Sequence, residues 1–129
     1  MEFTSSSSIN WGPAPEEFFT GKAWFGAMAD PEGTTEIVVL GVGFEPGART
    51  DWHSHPGGQV LYCVSGYGLV ANEAGHREEL TAGDSVQIPP NELHWHGAAR
   101  DSPMFHLSIT ADATAWTGDP VTDDQYRGE

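Results

Sequence analysis

The amino-acid sequence predicts an all-β protein: one antiparallel sandwich or barrel of short strands. Turn signals recur roughly every eight to twelve residues, at DPEG (30–33), EPG (45–47), EAGH (73–76) and TAGD (81–84). The stretches between them are strand-length and rich in β-branched and aromatic residues, as in TEIVVLGVGF (35–44). Sixteen glycines and nine prolines, spread along 129 residues, favour tight turns over long helices.

The elements follow in order. Residues 1–12 hold a serine run with little to bury and read as a flexible arm. Residues 13–129 read as a single domain. In GPAPEEFF (12–19), Pro15 suits a first helical position, and Glu16 and Glu17 suit the positive end of a short helical turn. GKAWFGAMAD (21–30) is a first strand and TEIVVLGVGF a second. QVLYCVS (59–65) and GYGLVAN (66–72) read as two further strands, followed by SVQIPP (85–90), LHWHGAA (93–99) and MFHLSIT (104–110). From Ala111 the tail is acidic and polar, with Trp116, Val121 and Tyr126 available as anchors. Neither register of the second strand gives it a polar face. A sheet apolar on both faces needs an outer cover, and a second copy of the chain is the simplest one, so a homodimer is expected.

Composition excludes several classes of function. Nineteen acidic and five basic residues give a net charge of −14, which repels phosphate backbones and anionic membrane surfaces. No nucleic-acid partner and no membrane association are expected, and a small-molecule substrate is. No apolar run approaches bilayer length, and the N-terminus lacks the basic and apolar regions of a secretory signal, so a cytoplasmic location is expected. The single cysteine, Cys63, sits in an apolar strand and reads as a small buried hydrophobe.

The six histidines carry the chemistry. His53 and His55 stand one residue apart, so on a strand they share a face and can chelate one ion; Gln59 opens the next strand and can bring its amide oxygen alongside. The bland alternative is the polar rim of an ordinary sheet. The wider spacing decides between them. Gly47 is followed after five residues by His53, then His55, Gln59 after three more, and Gly66 after six; Gly83 is followed by Pro89 and then His94. This resembles the paired motifs of the cupin superfamily, small jelly-roll-like antiparallel β-barrels that hold a metal through His, His, Glu or Gln, and His. Gln59 replaces the commoner Glu, Asn91 stands where Gly is usual, and Ala98 where Asn is usual. The segments FEPGARTDWHSHPGGQ, HWHGAA, MFHLSIT and VTDDQYR, with the early GPAPEEFFTG, are similar to the bacterial cupins that act as manganese-dependent hydroxynitrile lyases.

That resemblance implies a metal held by His53, His55, Gln59 and His94, and an acid–base role for His106. It implies one divalent ion per chain, Mn²⁺ first, with Fe²⁺, Ni²⁺, Co²⁺ or Zn²⁺ as alternatives. Strand alternation puts His106, Ser108 and Thr110 on one face, and the pocket is expected to include Leu40, Val42, Leu61, Ser108 and Thr110. The expected function is carbon–carbon bond cleavage or formation in a small cyanohydrin or related hydroxy or carbonyl compound. An Fe²⁺ dioxygenase, an isomerase, cyclase or decarboxylase, and a non-catalytic sensor are the competing readings. His96 is expected at the surface or behind the ligands, His76 in a solvated turn, and Trp52 and Trp95 facing away from the metal.

Overall fold

The computed structural model describes residues 1–111 and 113–128; residues 112 and 129 of the expected domain lie outside that description. The described residues form twelve strands: β1 Gly12–Pro13, β2 Phe19–Thr20, β3 Ala23–Ala29, β4 Val38–Phe44, β5 Arg49–Thr50, β6 His53–Ser54, β7 Gln59–Asn72, β8 Arg77–Thr81, β9 Ser85–Ile88, β10 His94–Ala98, β11 Met104–Thr110 and β12 Ala115–Trp116. They pair antiparallel in the order β1-β3-β4-β11-β7-β10-β5-β2, with β8 and β9 on β7, and β6 on β10 and β12. The sheet curls on itself, so the fold is the expected all-β barrel. GPAPEEFF forms the expected helical turn, as a 3₁₀ turn over Glu16–Phe18.

Two elements differ from expectation. QVLYCVS and GYGLVAN are one 14-residue strand, β7, and not two. Gly66 has φ 80°, and a Cβ there would lie 1.9 Å from the Pro103 carbonyl, so the glycine bends one continuous strand where the sequence reads as two. A register shift between Phe105 and His106 on β11 leaves Val64 of β7 without an opposite residue, a bulge two residues before the bend. The first half of β7 pairs with β9 and β11, the second with β8 and β10, so one strand closes both sides of the barrel. The tail also carries an unexpected helix, α1 (Asp123–Arg127), with a Thr122–Gln125 capping box and Gly128 left-handed at its end.

The core sits inside the curl, where Val42, Phe44, Leu61, Cys63, Val70, Leu80, Ile88 and Met104 are buried. A second cluster lies outside it: Trp95 and Leu69 pack against Val121 and Tyr126. Buried Arg49 ties the tail down, donating from Nη2 to the Val121 carbonyl at 2.8 Å while its guanidinium lies over the Tyr126 ring. Tyr126 donates at 2.6 Å to the carbonyl of Ala98, the last residue of the histidine-bearing strand β10. Among the described residues no helix is long and apolar enough to cross a membrane.

β10 and β5 approach so closely that a Cβ on Gly97 would lie 2.4 Å from the Ala48 carbonyl oxygen, and backbone cannot swing away. Gly97→Ala should therefore destabilise the protein by about 1–3 kcal/mol. Urea unfolding of the two proteins checks this; equal midpoints would mean the strands separate freely.

Candidate metal centre

Five of the six histidines, His53, His55, His94, His96 and His106, are buried. His53 and His94 face each other directly across β6 and β10. On β10 the alternation turns His94, His96 and Ala98 inwards and Trp95 outwards. On β11 it turns Met104, His106, Ser108 and Thr110 inwards, where Thr110 pairs with Gln59, Ser108 with Leu61 and Leu40, and His106 with Cys63 and Val42. Asn91 stands at φ 65°, which explains why glycine is usual at that place, and its amide donates to the His55 carbonyl at 2.9 Å.

Backbone carbonyls set the imidazole orientations. His53 Nδ1 lies 2.8 Å from the Asp51 carbonyl and His94 Nδ1 lies 2.8 Å from the Glu92 carbonyl. A carbonyl only accepts, so each Nδ1 carries the hydrogen and, in the neutral ring, each Nε2 presents a bare lone pair. His94 Nε2 lies 3.0 Å from Gln59 Oε1, while Gln59 Nε2 donates to Ser108 Oγ at 2.7 Å. Two acceptors thus face each other with no hydrogen to share, which is the arrangement a cation relieves. His55 Nε2 and His96 Nε2 are also buried without a hydrogen-bond partner. The side chains present fit a divalent metal with nitrogen and oxygen ligands.

The tightest triple of ligand atoms belongs to His53, His94 and His96, all within 4.8 Å of one another. His55 and Gln59 stand around the same point: the His55 ring lies 5.5 Å from that of His94. His96, expected at the surface or behind the ligands, is instead fully inside the cluster. It is the i+2 neighbour of His94, so the alternation that paired His53 with His55 also predicts its place. Its Nδ1 lies 3.0 Å from His106 Nε2, so His106 sits behind His96.

The tail supplies further supports that the sequence reading did not assign. Thr114 Oγ1 lies 3.4 Å from His55 Nδ1. Trp116 on β12 covers the His53 ring at 4.7 Å and stacks on Phe18. Of the expected pocket residues, Val42 and Leu61 are buried in the core, Leu40 packs against it, and Ser108 contacts Gln59. Leu40 and Thr110, with Glu36, Val38 and Thr114, line an open groove of about 510 Å³ at the mouth of the barrel. His76 is exposed, paired with Glu78, and Trp95 faces away from the cluster.

Burial is the first cause holding every imidazole in the cluster below its usual pKa, with neighbouring histidines adding to it for His53, His55 and His96. His55 and His106 are lowered to about 4.

Residues 42–110 match the cupin domain family, and the chain belongs to it. The chain is 40% identical to an (R)-mandelonitrile lyase of Granulicella tundricola, covering 98% of this chain and 99% of the relative. A cupin-like protein of Thermotoga maritima has a crystal structure with TM-score 0.85 at 41% identity, covering 89% of this chain and 90% of that one. The polyketide cyclase RemF of Streptomyces resistomycificus shares the fold at 17% identity, with TM-score 0.76 over 98% of this chain and 91% of its own.

The lowered pKa values set a pH dependence. Each histidine titrates near 6.5 when unfolded and lower when buried, so at intermediate pH the unfolded chain binds more protons. Stability of the metal-free protein is then fully present above about pH 6.5 and falls as pH drops towards 4, by up to about 1.4 kcal/mol per pH unit for each histidine. Urea midpoints in chelator between pH 7 and 5, above the ordinary carboxylate range, read this directly; a flat profile would contradict neutral burial.

Proposed function

We propose that the protein is a metal-dependent lyase that cleaves or forms the carbon–carbon bond of a small cyanohydrin. The observation that carries the reading is the lone-pair contact of His94 Nε2 with Gln59 Oε1 beside a buried His96–His106 pair. The name of the Granulicella tundricola relative supports the same chemistry. His53, His55, Gln59 and His94 would hold one divalent ion, Mn²⁺ first among the alternatives. When bound, that ion supplies Lewis acidity towards a substrate oxygen.

The residues of the chain do the rest. Leu40, Val42 and Leu61 offer an apolar wall to the substrate's side group. His96 Nε2, bare and facing the ligand atoms, takes the hydroxyl proton, and the Nδ1 hydrogen of His96 passes to His106 Nε2. The bond from the carbinol carbon to the nitrile carbon breaks, its electron pair leaves on cyanide, and the hydroxyl carbon becomes a carbonyl. The proton returns along the same two imidazoles to give hydrogen cyanide.

The purified protein should hold about one divalent ion per chain by elemental analysis and release benzaldehyde from racemic mandelonitrile without O₂. His106→Ala should lower that rate by at least about 100-fold while metal content is unchanged. Activity within a few-fold of the parent would remove the acid–base role. Metal content with no release, and oxygen uptake on the iron-loaded protein, would favour an oxygenase.

The chain is further proposed to act as a homodimer. The outer face of β3, β4, β7 and β11 stays apolar, with Trp24, Tyr62 and Val64 exposed and uncharged. Sedimentation velocity at micromolar protein should give twice the chain mass; a single-chain mass would exclude the dimer.

A further inference from the structure

We propose that the barrel has a second entrance, a slot between β8 and β9 that passes hydrogen cyanide while the larger reactant uses the mouth. The inference rests on the lyase reading. Among the described residues β8 and β9 each pair with β7 and not with each other. They part at the turn 81–84: β8 follows β7 after the bend at Gly66, and β9 follows it before the bend. The barrel wall is therefore open between them. A small void of about 80 Å³ lies in this gap and reaches His94.

The lining sorts by polarity. Val70, Val86 and Ile88 make an apolar throat; Val70 and Ile88 belong to the buried core, and Val86 packs against it. Glu78 and Glu92 line the void as well. Glu78 is exposed at the rim, where its Oε1 lies 2.8 Å from His76 Nε2. An acidic rim repels an anion, and an apolar throat strips an ion of its hydration. A small neutral molecule meets neither barrier, and hydrogen cyanide is neutral at neutral pH. A benzene ring needs a cavity of about 150 Å³, so an aromatic aldehyde is confined to the mouth.

The slot also opens where cyanide forms. Val70 pairs with His96 across β7 and β10, and Asn72 pairs with His94. The return of the proton from His96 to cyanide therefore takes place beside the throat. The groove at the mouth is lined from β4, β11 and the tail, and β7 stands between it and β9. An aldehyde held against Leu40, Val42 and Leu61 fills that approach, and the second reactant needs another.

The test runs in the synthetic direction, from benzaldehyde and cyanide at neutral pH, on the parent, Val86→Phe and Glu78→Trp. Val86→Phe fills the throat. Glu78→Trp covers the exposed rim without entering the core, and it keeps the test open if the first variant does not fold. The parent should saturate in benzaldehyde without inhibition. In each folded variant kcat/KM for cyanide should fall about 10-fold or more, while that for benzaldehyde changes less than about 3-fold. Excess benzaldehyde should now inhibit, because cyanide must enter by the mouth before the aldehyde closes it. A mere loss of packing would lower both constants and create no such inhibition. Xenon-pressurised crystals give a readout without turnover: xenon should occupy the throat of the parent and be missing from Val86→Phe. An empty throat in the parent, equal losses for the two reactants, or no loss in either variant would overturn the slot and leave the lyase standing. If the parent neither forms nor cleaves mandelonitrile, the lyase reading fails, and the slot falls with it.

Discussion

Two hydrogen bonds from ring to backbone organise the centre: His53 Nδ1 to the Asp51 carbonyl and His94 Nδ1 to the Glu92 carbonyl, each at 2.8 Å. In both, the imidazole folds back on the carbonyl two residues before it, so the path of the chain into the strand chooses the tautomer. β6 and β10 are in register at these two residues, and the two bare Nε2 atoms therefore converge. Gln59, His55 and His96 complete a group of acceptors with too few hydrogens among them. A barrel without an ion would gain little from collecting lone pairs in its interior, where each unpartnered polar atom costs about 1–3 kcal/mol.

The rest of the fold makes that arrangement tolerable. The apolar core, with Phe44, Met104, Leu80 and Val70, packs directly against the polar cluster, for Val70 pairs with His96 across β7 and β10. His106 marks the boundary: its ring lies 5.3 Å from that of Phe44 on one side and its Nε2 meets His96 on the other. The bend of β7 at Gly66 lets a single strand bring Gln59 to the histidine cluster and pair its far half with the strand that carries His94 and His96. The tail acts from outside. Arg49, Tyr126 and Trp95 fasten it to the outer face, and Trp116 then covers His53.

Alternation and turn chemistry made most of the barrel legible in the sequence, because every inward residue of β4, β10 and β11 follows the period of two. The ends of elements were less legible. Gly66 reads equally as a turn or a bulge, and only the closeness of the Pro103 carbonyl distinguishes them. Helix α1 was hidden by an acidic composition, although Thr122, Gln125 and Gly128 spell a start and a stop. At the site, spacing brought out His53, His55, Gln59 and His94. His96 was legible by the same rule and was passed over because it lies outside the motif. Ser108 and Thr114 carry no sequence signal of their own; their contacts depend on which strand or segment lies beside Gln59 and His55.

The charge of the ligand set bears on which reaction the site favours. The proposed ligands His53, His55, Gln59 and His94 are all neutral groups, so a loaded site would keep the full charge of its ion. A glutamate in place of Gln59 would cancel part of that charge. Burial already keeps His96 and His106 uncharged at neutral pH, and a nearby cation opposes their protonation further. A neutral imidazole pair can accept a proton but has no surplus proton to give. Such a site favours reactions that begin by taking a proton from the substrate and return it only after a bond has broken. Cyanohydrin cleavage has that order, since the hydroxyl must lose its proton before cyanide departs and can accept one. A reaction that begins by protonating its substrate would need an acid that stays charged or protonated at neutral pH, and a pair of buried imidazoles beside a cation is poorly placed to be one.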